Sequence, residues 1–110
     1  MTNTLIPTIE QFEGEFAFLS NFYPLKFDWE GITWKTNEHA YQAAKTKNHE
    51  ERLVIAALKT PGKAKAAGRK VTIRTNWDIV KFDVMESILR AKFDQHPKFK
   101  QMLFACPMCK

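Results

Sequence analysis

Two residues, Glu30 and Gly31, separate the aromatic stretches LKFDW and ITW. A gap that short joins neighbouring antiparallel strands, because parallel strands need a crossover of a dozen or so residues. In LKFDW, Leu25, Phe27 and Trp29 alternate with Lys26 and Asp28, so the ribbon has one apolar and one wet face. The run before it, EFAFLSNFYP, is rich in aromatics and ends at Pro24, which extends the strand signal over residues 15 to 35. A small antiparallel sheet with one buried face is expected as the floor of the domain.

After Trp34 the pattern becomes helical. Thr36 or Asn37 can cap a helix running to about Lys47, and ERLVIAALK predicts a second from Glu51 to Lys59. Thr60-Pro61 opens a third, rich in alanine and lysine, which Gly68 stops, and KVTIR reads as a short extended link. Trp77, Val80, Val84 and Ile88 recur on one face of the longest helix, Asn76 to about Phe93, and Pro97 starts a last short one. The expected fold class is α+β, one domain over residues 1–110 in which four or five helices pack the small sheet. With 45% hydrophobic and 13% aromatic residues, a chain of 110 buries enough surface to fold without disulfides or metal.

No apolar run approaches the ~18 residues of a membrane span. The amino end, MTNTLIPTIEQF, lacks the basic-then-apolar order of a signal peptide, so a cytoplasmic location is expected. Cys106 and Cys109 form a CPMC without a second ligand pair and too late in the chain for a thioredoxin-type motif; they read as an incidental tail, with no metal. The net charge is +5, and it is concentrated: between Lys45 and Arg74 nine bases face only Glu50 and Glu51. That half of the chain should favour anionic partners, phosphates or nucleic acid, although each lysine alone is equally at home on a solvated surface. No RNP signature or zinc-finger spacing accompanies the charge.

TNEHAYQAAKTK, Thr36 to Lys47, gathers the residues best suited to chemistry. With a cap at Asn37, Glu38, Gln42 and Lys45 fall at i, i+4 and i+7 and point off one side, bordered by Tyr41. Ala40, Ala43 and Ala44 lie elsewhere on the helix and are small enough for a close neighbour. Spacing alone leaves two readings open. Glu38 in a first turn is favoured by the helix dipole, its polar neighbours are common on any exposed helix, and His39 can simply satisfy a backbone group. FLSNFYP is similarly divided between a ligand-binding loop built on Ser20, Asn21 and Phe22 and a plain corner before Pro24.

FLSNFYP, GITWKTNEHAYQAAK, AAGRKV and WDIVKFDVMESILRAKF, in this order and at compatible distances, resemble the YbiA-like or NADAR family from about Phe16 to Leu103. The resemblance implies an N-glycosidase acting on ribosyl phosphates. Its substrate would be a phosphoribosylated pyrimidine of riboflavin synthesis or ADP-ribose joined to a nucleobase, including one carried by nucleic acid. It places Glu38 at the acidic catalytic position, Lys45 at the family lysine and Arg69 and Trp77 near phosphate and base. Ser20, Asn21 and Phe22 match the pocket loop, and His39 and Gln42, inside the motif that carries Glu38, are grouped with them as substrate-contacting residues. No cofactor is implied.

The chemistry suits those residue types. Breaking a ribosyl C1–N bond builds positive charge on the sugar, which a carboxylate stabilises while it deprotonates water. A lysine of lowered pKa can instead attack C1 of an opened sugar, with Lys45 the candidate and Lys47 the fallback. The alternatives are a non-catalytic module for ADP-ribose, NAD or a nucleotide, and a nucleic-acid-associated protein. The resemblance stops after Leu103, where the family continues through a tryptophan-glycine motif and an Asn-x-Leu-Gly stretch while this chain reads FACPMCK. A shortened domain is therefore expected, with impaired activity and an exposed apolar face from Phe93 to Phe104 through which copies could associate.

Overall fold

The computed structural model describes residues 19–105. In chain order these form β1 (Phe27–Trp29), β2 (Ile32–Trp34), α1 (Asn37–Ala43), α2 (His49–Ala57), α3 (Pro61–Gly68), α4 (Trp77–Asp94) and α5 (Pro97–Ala105). The class is α+β, as expected. Cys106, Cys109 and the first residues of the EFAFLSNFYP run lie outside the described residues.

β1 and β2 pair antiparallel with Trp29 opposite Ile32 and Phe27 opposite Trp34, so Glu30 and Gly31 make a two-residue turn. Both have positive φ, 51° and 80°, the geometry that matches the twist of a hairpin. Phe27, Trp29 and Trp34 are buried while Asp28 and Thr33 face water. Among the described residues the sheet is only this ribbon, smaller than expected. Leu19 to Tyr23 turn a corner instead of extending it, with Phe22 N donating to Ser20 Oγ at 3.0 Å and Tyr23 N to the Ser20 carbonyl at 3.2 Å. Serine and asparagine satisfy a turning backbone locally, and that overrides the aromatic β-propensity around them.

The ribbon is fastened to α4. Trp29 Nε1 donates to Ser87 Oγ at 2.9 Å, and the Gln95 amide makes two 2.7 Å bonds to the Asp28 backbone. α1 lies at the centre, against α2, α3, α4 and β2. Ala40, Ala43 and Ala44 have no exposed surface, and their missing bulk is what lets so many elements approach one short helix. Around them close Phe27, Trp29, Trp34, Ile55, Trp77 and Ile88.

Three helix limits differ from the sequence reading by two residues or more, one of them the end of α2, at Ala57 and not Lys59. α1 ends at Ala43, not near Lys47, because Lys45 N and Thr46 N tighten onto the carbonyls of Gln42 and Ala43 and Thr46 then pairs with Ile73. α2 starts at His49, two residues early, since Asn48 caps it by accepting from Glu51 N at 2.9 Å. The KVTIR link contributes only that one bridge at Ile73.

The expected bare apolar face beginning at Phe93 is corrected. Phe93 is 7% exposed and packs with Leu19, and Phe99 meets Tyr23 edge-on at 6.1 Å. Side chains beyond Met102 lie outside the described residues. Exposed large apolar groups sit elsewhere, at Ile79 and Phe82 of α4, at Leu53 and Val54 of α2 and at Ile73. Among the described residues no helix is long and apolar enough to cross a membrane.

Candidate active site

The first turn of α1 is polar and buried. Thr36, Asn37, Glu38 and His39 are each at most 5% exposed, so the helix start is not the solvated surface that its composition allows. Buried polar groups need partners, and the partners show what each residue does.

Thr36 Oγ1 caps the helix, accepting from His39 N at 3.2 Å, and lies 2.7 Å from His39 Nδ1. His39 Nε2 donates to the Leu58 carbonyl at 2.9 Å. Since Nε2 carries the proton, Nδ1 accepts from the Thr36 hydroxyl, and the ring is a neutral tautomer. Burial lowers its pKa, with Lys35 adding to the effect and the Leu58 carbonyl opposing it. His39, grouped above with the substrate-contacting residues, has no exposed surface and ties α1 to the end of α2. It has no free atom to offer a ligand.

Glu38 points elsewhere. Gln42 Nε2 donates to Glu38 Oε2 at 2.6 Å, one turn along the helix, and Glu38 N donates to the Asn21 carbonyl at 3.0 Å. Asn37 Nδ2 donates to Asn21 Oδ1 at 3.2 Å. The FLSNFYP corner therefore rests on the start of α1, with Asn21 as its fastening point, Ser20 buried beneath it and Phe22 half-buried beside it. Two acceptors in this region, Asn37 Oδ1 and Gln42 Oε1, are buried without a partner. Such orphans are costly, and they cluster beside the one carboxylate of the first turn.

Lys45 lies just past α1 within reach of the Glu38 charge. Burial lowers its pKa first; Arg69 and Lys65 of α3 push it further down, and Glu38 opposes them. Arg69 is exposed at the end of α3. Trp77, 7% exposed, sets its ring 5.2 Å from that of Tyr41, so it forms a wall behind the Tyr41 ring. The Tyr41 hydroxyl is pushed up by burial and by Glu38, against Lys81.

The structure thus gathers Asn21, Glu38, Gln42, Lys45 and Arg69, with Trp77 behind Tyr41. Lys47 instead lines a separate open hollow of about 400 Å³ with Thr46, Asn48 and residues 72–76, which contains neither Glu38 nor Lys45. Sequence reasoning missed Asn37 and Gly68 as parts of this region and treated Tyr41 as a border. Three consecutive polar residues at a helix start gave no sign of burial. Gly68 read as a stop signal, yet it is the residue against which Gln42 lies.

The NADAR domain family matches residues 9–109. The chain belongs to the NADAR family. N-glycosidase YbiA of Escherichia coli (strain K12) is 39% identical over 95 residues, 83% of this chain and 58% of that protein. Riboflavin biosynthesis protein PYRR, chloroplastic, of Zea mays is 31% identical over 107 residues, 82% of this chain and 17% of that one. The NMR structure of the E. coli protein YbiA matches with a TM-score of 0.74 at 36% identity, covering 84% of this chain and 56% of that one. The NADAR chain described here therefore spans less than two thirds of the YbiA proteins it matches. Its buried Glu38, with Lys45 nearby, stands within the matched region.

Proposed function

We propose that this NADAR chain hydrolyses the N-glycosidic bond of a ribosyl phosphate compound, with Glu38 as the catalytic carboxylate and Lys45 as the amine nucleophile. The observation that carries the reading is the buried Glu38 carboxylate, held by Gln42 at 2.6 Å, beside a lysine whose charge is disfavoured by burial. A free Lys45 amine displaces the base at C1, one amine proton leaving with the base, and the resulting glycosylamine becomes an imine when the C1–ring-oxygen bond breaks and that oxygen takes the second proton. Glu38 stabilises the positive charge that develops at C1 and then takes the proton of the water that hydrolyses the imine. Arg69 and Lys65, the cations around Lys45, offer charge to the sugar phosphate. The substrate is a phosphoribosylated pyrimidine, a choice supported by the similarity to a riboflavin biosynthesis protein. ADP-ribose on a nucleobase is the second candidate of the same chemistry.

The test is to incubate the purified chain with both substrate types and follow the released sugar phosphate and base. Turnover of either is expected, lowered by about 10²- to 10⁴-fold in Glu38→Gln. Calorimetric binding of ADP-ribose without turnover would favour a non-catalytic module, and neither binding nor turnover would reject the reading.

A further inference from the structure

α3 contributes no reacting group to this mechanism, yet it approaches α1 very closely at one position. A Cβ built on Gly68 would lie 1.9 Å from Gln42 Oε1, 2.8 Å from Gln42 Cδ and 3.0 Å from Gln42 Cβ. Gly68 does not have positive φ, so the backbone does not require glycine. What requires it is the Gln42 amide, which occupies the space a side chain would take. The other end of that amide donates to Glu38 Oε2 at 2.6 Å, while its oxygen is buried without a partner. Gln42 is therefore confined between the bare Cα of Gly68 and the carboxylate.

We infer that Gly68 is a positioning residue for the Glu38 carboxylate. It leaves open the slot in which the Gln42 amide lies, and the amide holds Oε2 so that the other carboxylate oxygen faces the substrate. The inference rests on the reading of Glu38 as the catalytic carboxylate. The charged and titratable groups around Glu38 are Lys45 just past α1, Tyr41 on α1, Lys65 and Arg69 of α3 beside Lys45, and Lys81 of α4 beside Tyr41. A substitution at Gly68 or Gln42 removes none of these charges.

Gly68→Ala separates positioning from packing. Alanine is the better helix former, and the atoms it would strike hardest are the far end of a flexible side chain. The fold then survives while Gln42 swings away and Glu38 loses its amide donor. A double-mutant cycle over Gly68→Ala and Gln42→Ala tests this, with steady-state kinetics and the ¹H NMR shift of the Gln42 side-chain amide. Each single variant should lower kcat by about 10- to 100-fold with KM within about twofold. In Gly68→Ala the protons of the Gln42 side-chain amide should move upfield as they leave the carboxylate.

The double variant should be no slower than Gln42→Ala alone, because both changes act through one amide. If Gly68→Ala is too unstable to study, its addition to Gln42→Ala, where the colliding amide is gone, still gives the comparison. Multiplying effects, or unmoved Gln42 amide protons in Gly68→Ala, would overturn the inference. Full activity in Glu38→Gln would reject the catalytic reading instead, while the Gln42 amide shift in the chain that keeps Glu38 would still report whether Gly68 acts on the Gln42–Glu38 bond.

Discussion

The backbone amide of Arg74 donates to the Lys45 carbonyl across 2.7 Å. The Arg74 side chain reaches the Ala44 carbonyl as well, at 3.5 Å, so a segment far along the chain fixes the two residues that follow α1. Lys45 thus stands outside the helix but on a backbone held by tertiary bonds. Its amine feels the charges of Glu38, of Arg69 just past α3 and of Lys65.

If Lys45 is the nucleophile, borohydride added during turnover should reduce the imine and leave the sugar covalently on Lys45, read by peptide mass spectrometry. Lys45→Arg keeps the charge but cannot form the imine, and should lose at least about 10²-fold in kcat with no trapped product. Turnover with nothing trapped would transfer the chemistry to direct attack by water. Arg69 is one of the cations that lower the Lys45 pKa, so Arg69→Gln should raise it and move the rising limb of the rate profile to higher pH.

His39→Ala should cost stability and leave substrate affinity alone. It strands the Thr36 hydroxyl and the Leu58 carbonyl, each bonded to the ring, with an expected loss of about 2–4 kcal/mol by denaturant titration. KM of the folded variant should remain within about twofold. A selective rise in KM at unchanged stability would return His39 to the pocket. Because the folded pKa of His39 is lowered, the unfolded chain binds more protons just below the ordinary value of 6.5, and the stability contributed by the neutral ring declines as pH falls through that region.

Lys92 is fully buried in α4, and burial lowers its pKa to about 8 from 10.5. Between those values the unfolded chain holds more protons than the folded one, so stability should rise with pH across the window, by about 3 kcal/mol in all. Lys92→Met should lack this rise when unfolding is followed from pH 7 to 10.5. Parallel pH profiles in the two proteins would contradict the assignment.

Glu51 accepts from Thr46 Oγ1, Thr72 N and Thr72 Oγ1, joining α2 to both strands of the Thr46–Ile73 bridge. The Thr46 hydroxyl is the main reason its pKa is lowered from 4.5, with the Thr72 bonds adding and desolvation opposing. Its stabilising contribution is therefore present above pH 4.5 and declines as pH falls through the lowered folded value. Glu51→Ala should loosen the bridge, seen as faster hydrogen exchange at the Arg74 amide, the one that holds Lys45. Unchanged exchange there would show that the bridge stands without Glu51.

Features that arise within a few residues were legible. The Glu30-Gly31 turn, the Thr60 cap followed by Pro61 and the Trp77–Ile88 stripe each need only local sterics or a helical period, and each appears where expected. The end of α1 was not legible, because Thr46 leaves the helix to pair with Ile73. The corner at Ser20 and Asn21 was one of two readings open in the sequence, and turn chemistry there cut short the strand signal of the aromatic run. The candidate site was legible as a list of residue types and only partly as a geometry. Glu38 and Gln42 one turn apart follow from helical spacing, whereas His39, adjacent in sequence, faces α2 and is sealed.

By itself, then, the sequence determined the α+β class, the hairpin, most of the helices and a motif order that marks the NADAR family. Those depend on backbone propensity, periodicity and short-range spacing. Only the tertiary structure decided that the polar start of α1 is buried, that Asn21 fastens it and that Gly68 leaves room for the Gln42 amide. Burial is a property of what packs against a residue. No local pattern distinguishes a Glu-Gln pair in water from one enclosed by a corner and a neighbouring helix, and that enclosure is what turns a common pair into a candidate catalytic group.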